Sequence, residues 1–275
     1  MEKVAVIILN YKTWKQTVEE IQTMKSQPGV RNCDYIVVDN CSPNDSYEKL
    51  NEYKDSMGYC LIKNESNDGY AKGNNIGLRY AQEKGYRYAW IMNNDILFPE
   101  KFDLEKLLSI FAKAGDIAVV NPDVYAMDGR LFNRDAKRWT IYDLTVGMKA
   151  YQKKGREVKD QGGWAYVYRP QGCSMILDIE KCSRVGFLDE HTFLYCEEPI
   201  LAERLLAKNY RCAVDLDNNI IHNHSTTVRS SYSKKRADQI SAESFKYYLE
   251  KYRKFNAVQV RTCLLFHRIK SALLD

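Results

Sequence analysis

Short apolar runs that each close on a polar cluster constrain this chain more than any other feature. Residues 4–9 (VAVIIL), 34–39 (DYIVVD), 59–64 and 88–92 (YAWIM) have the length and β-branched content of buried parallel strands. Between and after them, residues 15–24, 46–53, 73–84 and 104–114 carry helical spacing, and 117–120 is a further strand. This alternation predicts an α/β fold with a mostly parallel central sheet and helices on both faces. Residues 173–179 and 211–214 add strands, with a helix over 199–208 between them. From 122 to 172 the periodicity fades into glycines among aromatic and charged residues, which predicts long loops and antiparallel strands along one edge.

Several function classes are excluded early. No GxxxxGK[ST] occurs and no GxGxxG follows the first strand, so a P-loop and a Rossmann dinucleotide site are unsupported. The eight cysteines contain no CxxC pair, which argues against a thiolate zinc site and for reduced thiols in a cytoplasmic protein. The apolar start MEKVAVIIL reads as a strand and not as a signal peptide, and no run is long enough to span a membrane. A net charge of +5 over 275 residues is too mild for a dedicated nucleic-acid binder. That charge is uneven: residues 229–275 carry +7 and the rest −2. Leu265, Ile269 and Leu273 recur at helical spacing there, so the tail reads as a basic amphipathic helix or helix pair. It could lie on an anionic membrane surface or pack on the main domain or a partner subunit.

Ligands of open α/β sheets bind outside the carboxyl ends of the strands. Asn10-Tyr11, Asp39-Asn40, Asn67-Asp68-Gly69 and Asn93-Asn94-Asp95 all fall at such ends. Turn chemistry explains any one of them; four along one edge point to a site. In the run from Asn67 to Gly77, Lys72 could meet a phosphate, while Gly73 and Gly77 serve equally well for close helix–sheet packing. Asp95 suits Mg²⁺ or Mn²⁺ shared with a diphosphate, or else caps a helix led by Pro99. Glu197 and Glu198 could supply a general base, or could complement a helix N-terminus with Pro199 in its first turn. His222 and His224 follow a strand-like run and could share a metal.

In this order, VAVIILNYKTW, IVVDNCSPNDS, NDGYAKGNNIGL, WIMNNDILFP, GFLDEHTFLYCEEP and IIHNHS resemble an inverting family 2 glycosyltransferase of the GT-A fold. The likeness is greatest to the rhamnosyltransferase-like and galactofuranosyltransferase-like enzymes of bacterial surface polysaccharides such as capsule and O-antigen. It implies a nucleotide-sugar domain over residues 1–228 and a helical tail over 229–275. The donor would be a UDP- or dTDP-sugar and the acceptor a glycan or lipid-linked saccharide. Asn10, Tyr11 and Asp39 would hold base and ribose, and the loop from Asn67 through Gly69, Lys72 and Asn75 to Gly77 would close over base and phosphates. Asn93-Asn94-Asp95 matches the family's DxD-like motif with Asp95 as its final acid, and His222, or His224, would complete the shell of Mg²⁺ or Mn²⁺. Glu198 matches the base, with Glu197 as second candidate, and the segment from Gly172 would line the acceptor side. The chain departs from the pattern in having one carboxylate in the DxD-like motif and Glu-Glu-Pro in place of Glu-Asp.

Overall fold

The computed structural model describes residues 2–30, 33–132, 134–148, 157–223 and 233–273. Four strands run parallel in the order β3 (Tyr59–Lys63), β2 (Cys33–Asp39), β1 (Val4–Asn10) and β4 (Tyr88–Met92). The sheet continues through β8 (Ser174–Asp178), which is antiparallel to β4, then β6 (Ile117–Ala126) and β9 (Arg211–His222). A two-residue strand β5 (Ile96–Leu97) and β7 (Trp164–Val167) both pair antiparallel with β9. The sheet is thus mixed where the sequence pattern predicted it mostly parallel, because β8 enters between β4 and β6. The weakly periodic region from 122 contributes the second half of β6 and then β7.

Alternation along the strands builds two cores. Val4, Val6 and Ile8 of β1, Tyr35 and Val37 of β2 and Trp90 of β4 face one side. There they pack on α1 (Trp14–Ser26), α2 (Ser46–Met57) and α4 (Leu104–Ile110) through Ile21, Met24, Leu50 and Leu107. Ala5, Ile7, Ile36, Val38 and Ile91 face the other side, against α3 (Tyr70–Glu83), α5 (Ile179–Ser183) and α6 (Glu197–Leu206). The C-terminal segment is a helix pair, α7 (Lys234–Tyr247) and α8 (Ala257–Leu273), joined by a wide π turn over Tyr248–Tyr252. Its Phe245, Tyr248, Leu249, Val260 and Cys263 form a third cluster with Ile200 of α6. One helix therefore binds the sheet through Leu201 and Leu205 and the tail through Ile200. All eight cysteines are free thiols.

The run from Asn67 to Gly77 is mainly helix, not an open loop, since α3 begins at Tyr70. Gly73 and Gly77 lie on its sheet-facing side against Leu9 and Ile7. A Cβ at Gly77 would sit 2.6 Å from Ile7 Cγ2 in the fully buried β1. The packing role of these glycines is the one realised. Gly77→Ala should destabilise the fold by about 1–3 kcal/mol, in spite of alanine's better helix propensity. In denaturant titrations the double variant with Ile7→Ala should lose less than the sum of the single losses.

Candidate active site

The parallel register sets Asn10 beside Asp39 at the carboxyl edge of the sheet. Both side chains are buried, and the Asn10 amide donates to Asp39 Oδ2 at 2.7 Å. Ser42 closes on the same carboxylate, its hydroxyl donating to Oδ2 at 2.7 Å and its amide to Oδ1 at 3.0 Å. Thr17 of α1 donates to Asn10 Oδ1 at 3.0 Å. Asn94, just beyond β4, donates to Thr13 and Thr17 hydroxyls at 2.8 and 2.9 Å, which ties the turn after β4 to the start of α1. Tyr11 is half-buried, with the Lys12 ammonium 4.9 Å from its ring centre. A second chain of amides follows β2 and β3: Asn64 donates to Asn40 Oδ1 at 2.8 Å, and Asn40 to Asn67 Oδ1 at 2.9 Å. The Asn67 oxygen also accepts the Gly69 amide at 3.2 Å.

Asp95 and His222 meet because β5 follows Asp95 at once and pairs with the end of β9. Ile96 is opposite His222, and the Asn223 amide donates to the Asp95 carbonyl at 3.0 Å. His222 Nε2 lies 3.1 Å from Asp95 Oδ1 and 3.4 Å from the Asn93 amide nitrogen, and both Asp95 and His222 are largely buried. The helix led by Pro99 that would have made Asp95 a cap is not formed; α4 starts at Leu104 and is capped by Asp103, which accepts the Lys106 amide at 3.0 Å. His224 lies outside the described residues. Among the described residues no three His, Cys, Asp or Glu converge on a metal position. A carboxylate beside an imidazole fits a divalent ion that takes its remaining ligands from water and diphosphate oxygens. Below this pair, Glu20 of α1 accepts the Ile96 amide at 3.2 Å, and burial pushes its carboxyl up to about 8.

The remaining two parts of the edge are joined by backbone. Gly69 has φ +98°, and its missing Cβ leaves room for the Phe193 carbonyl, which accepts the Tyr70 amide at 2.8 Å. Tyr70 donates its hydroxyl to the Gly172 carbonyl at 2.8 Å, and the Gly172 amide donates to Glu198 Oε1 at 3.1 Å. A Cβ on Gly172 would meet that same carboxylate oxygen at 2.8 Å. The Tyr70 phenol and Cys173 thiol are raised by burial first, then by the acids around them: Glu198 and Asp95 act on both. The Asn93 backbone amide donates to the Cys173 carbonyl at 2.9 Å, so the turn that carries Asp95 and the residue that binds Glu198 meet at Gly172–Cys173. Lys72 instead holds Asp68 at 2.6 Å. Asn75 is turned to the far loop, its amide nitrogen donating to the Leu188 carbonyl and Glu190 at 2.9 Å each and its oxygen accepting the Leu188 amide at 3.1 Å.

Glu197 and Glu198 open α6, so the helix-terminus reading and the acid-base reading coexist. Their environments differ. Glu197 is buried and its carboxyl is pushed up to about 8 by burial and by the neighbouring Glu198, whereas Glu198 is half-exposed. Tyr195 and Cys196 just before them both have positive φ, +73° and +67°, a conformation that costs about 1–2 kcal/mol per non-glycine residue. The tail holds this loop. Ser244 of α7 donates to the Leu194 carbonyl at 2.8 Å, and Tyr247 and Tyr252 donate to Asp189 Oδ2, the former at 3.0 Å. His191 donates its amide to Asp189 Oδ1 at 3.0 Å, and its Nδ1 lies 2.8 Å from the same oxygen. Burial of Asp189 would raise its carboxyl, but the hydrogen bonds from Tyr252, His191 and Tyr247 outweigh it and hold it down to about 2.

Glu20 and Asp189 join the candidate site beyond the residues picked out from sequence, whereas Gly172 opens the segment expected on the acceptor side. Glu20 had a legible signal: it interrupts the buried stripe of Thr17, Ile21 and Met24 on α1. Asp189 had none, since the two tyrosines that bind it lie more than fifty residues away.

Two outcomes follow from these environments. Between its ordinary value near 4.5 and about 8, the Glu197 carboxyl binds a proton in the native state that the unfolded chain releases. Its contribution to stability is thus full below that window and falls as pH rises through it. Glu197→Gln should melt at a temperature near wild type at pH 5 and above it at pH 8. Separately, Tyr247→Phe with Tyr252→Phe removes two hydrogen bonds to a charged group, together about 3–6 kcal/mol. Hydrogen exchange of backbone amides over 190–198 should rise at least about tenfold, with those of β1 and β4 unchanged.

Residues 5–177, more than half of the chain, match the family model described as Glycosyl transferase family 2. The low-salt glycan biosynthesis hexosyltransferase Agl10 of Haloferax volcanii is 25% identical over 237 residues, which are 84% of this chain and 72% of that protein. Among solved structures, GalNAc-T7 with UDP, GalNAc and Mn²⁺ aligns with a TM-score of 0.69 at 14% identity over 92% of this chain; the chain spans about half (49%) of that structure. The mannosyltransferase PcManGT from Pyrobaculum calidifontis with GDP-Man and Mn²⁺ aligns with a TM-score of 0.60 at 15% identity, over 98% of this chain and 70% of that one. TarS 1–349 of S. aureus with UDP-GlcNAc gives 0.55 at 14% identity, over 92% and 74%. These structures establish the GT-A fold that the sequence motifs implied. With its strand ends, its Asp95–His222 pair and its paired acids on one edge of that fold, the chain belongs to glycosyltransferase family 2.

Proposed function

We propose that this enzyme transfers a hexosyl group, with inversion, from a UDP- or dTDP-sugar to a hydroxyl of a glycan or lipid-linked saccharide in the synthesis of a surface glycan. The observation that carries this reading is the turn at Gly172–Cys173, where the Cys173 carbonyl accepts the Asn93 amide next to the Asp95–His222 pair and the Gly172 amide donates to Glu198. The amide network of Asn10, Asp39, Asn40 and Asn67 lies at the same sheet edge and suits a base and ribose. With Asp95 and Glu198 on either side of that turn, a diphosphate there requires a cation. Asp95 and His222 would hold Mg²⁺ or Mn²⁺, which when bound offsets the charge of the leaving diphosphate. The Mn²⁺ in the GalNAc-T7 and PcManGT structures and the UDP, GDP-Man and UDP-GlcNAc of the aligned enzymes support a nucleotide-sugar donor and a divalent ion.

Glu198 is the base. It is reachable from solvent and stands against Gly172 at the acceptor side, where it accepts the proton of the attacking hydroxyl as the new glycosidic bond forms and the bond to the diphosphate breaks. Buried Glu197, with its raised carboxyl, holds a proton at neutral pH and acts on Glu198 as a neighbour. The domain boundary near residue 228 belongs to the same reading, with residues 229–275 as a brace on the catalytic loop. An acceptor carried on a lipid would have the enzyme work at a membrane surface.

Nucleotide sugars supplied with Mg²⁺ or Mn²⁺ should yield free nucleoside diphosphate; pyrophosphate as product would identify a nucleotidyltransferase instead. Asp95→Ala and Glu198→Gln should each lower transfer by at least about a hundredfold, as loss of a general base does, while circular dichroism and melting stay near wild type. Near-normal transfer by Glu198→Gln would overturn the assignment of the base.

A further inference from the structure

Helix α8 has two different faces. Val260 and Cys263 are buried in the cluster with Ile200, Phe245 and Tyr248. On the same face, His267 lies 3.1 Å from the Ser241 hydroxyl and against the Phe245 ring, and Ser271 donates to Asp238 at 2.7 Å. These contacts fix α8 on α7 and, through Ile200, on α6.

The opposite face carries Val258, Leu265 and Ile269, exposed to 72%, 57% and 45%. Arg261 and Arg268 are exposed with them. At 3.6 residues per turn, these five positions fall within about 100° of helix circumference. Large apolar side chains rarely line up in water without a partner. No helix of the described residues is long and apolar enough to cross a membrane.

We propose that this face of α8 docks on an anionic lipid bilayer, with Val258, Leu265 and Ile269 entering the headgroup boundary and Arg261 and Arg268 meeting lipid phosphates. Charge selects this occupant. Residues 257–273 contain no Asp or Glu, and Lys251 and Lys254 just before them are also exposed. A second copy seated on the same stripe would bring arginines against arginines with no acid on the helix to answer them. A bilayer with acidic headgroups supplies both the apolar layer and the opposite charge, which is the chemistry of an interfacial amphipathic helix. Because α8 is fixed to α6, whose first turn carries Glu198, docking would also set the height and tilt of the base above the bilayer.

The test uses the full chain, which needs no donor or acceptor, so its result is independent of the glycosyl-transfer reading. Sedimentation with phosphatidylcholine vesicles containing phosphatidylglycerol should carry the protein down, and pure phosphatidylcholine vesicles should not; added salt should weaken the binding. Val258→Ser with Leu265→Ser and Ile269→Ser should weaken binding at least tenfold, as should Arg261→Gln with Arg268→Gln. Both variants should keep the wild-type melting temperature and nucleoside-diphosphate release, since none of these residues touches the site. Equal pelleting of wild type and the apolar variant, or no binding to the anionic vesicles, would overturn the proposal. A concentration-dependent dimer that the apolar variant abolishes would assign the face to a second copy instead, and would also overturn it.

Discussion

Two pairs of facing residues, Ile96 opposite His222 and Leu97 opposite Ile221, turn the carboxyl edge of this sheet into a place where an ion could sit. Without them, Asp95 would be a lone carboxylate after β4, and His222 would end a strand on the other side of the sheet. Chelation depends on holding two donors at a fixed separation, and here that separation is set by backbone pairing and not by side-chain packing. The pairing is supported from below, where Glu20 takes the Ile96 amide, and from beside, where Asn223 takes the Asp95 carbonyl. The amide network at Asn10 and Asp39 reaches the same strand end through Thr17 and Asn94. The amide network and the strand end that carries Asp95 are in this way one hydrogen-bonded object.

The acid–base half of the site is held differently. Glu198 stands at the end of two consecutive left-handed residues, a backbone path that a loop left to itself would abandon. What retains it is distributed: Gly69 against Phe193, Gly172 against Glu198, and Tyr247 and Tyr252 on Asp189. The tail is thus a structural support of the loop that leads to Glu197 and Glu198. Asp189 needs both tyrosines because a carboxylate buried in that position must have its oxygens satisfied.

Much of this was legible before any fold was seen, for identifiable reasons. Strands β1, β2 and β4 announce themselves by continuous apolar runs, and their ends name Asn10, Asp39 and Asp95. The acids at 197 and 198 are conspicuous next to Pro199. Other features lie below the resolution of periodicity. A two-residue strand such as β5 has no period, so its partner on β9 could not be found. The antiparallel course of β8 looks the same in sequence as a parallel one. The helix expected from residue 104 starts there, at Leu104; only the alternative of a Pro99-led helix capped by Asp95 fails, since Asp103 supplies the cap. Lys72, a lysine beside glycines and so a candidate for phosphate, pairs here with Asp68 four residues earlier on the same helical face.

The contacts at Gly69 and Gly172 bear on how such a site would respond to systematic mutagenesis. Alanine scanning finds contacts by deleting side chains, and these two junctions have none to delete: one is a carbonyl pressed where a Cβ would be, the other an amide under a carboxylate. A scan of this kind would register the tyrosines and acids around them by what it removes, and these two glycines only by the Cβ it adds. Only substitutions that add atoms would reveal them, so the map of tolerated residues here would be ordered by volume more than by chemical type.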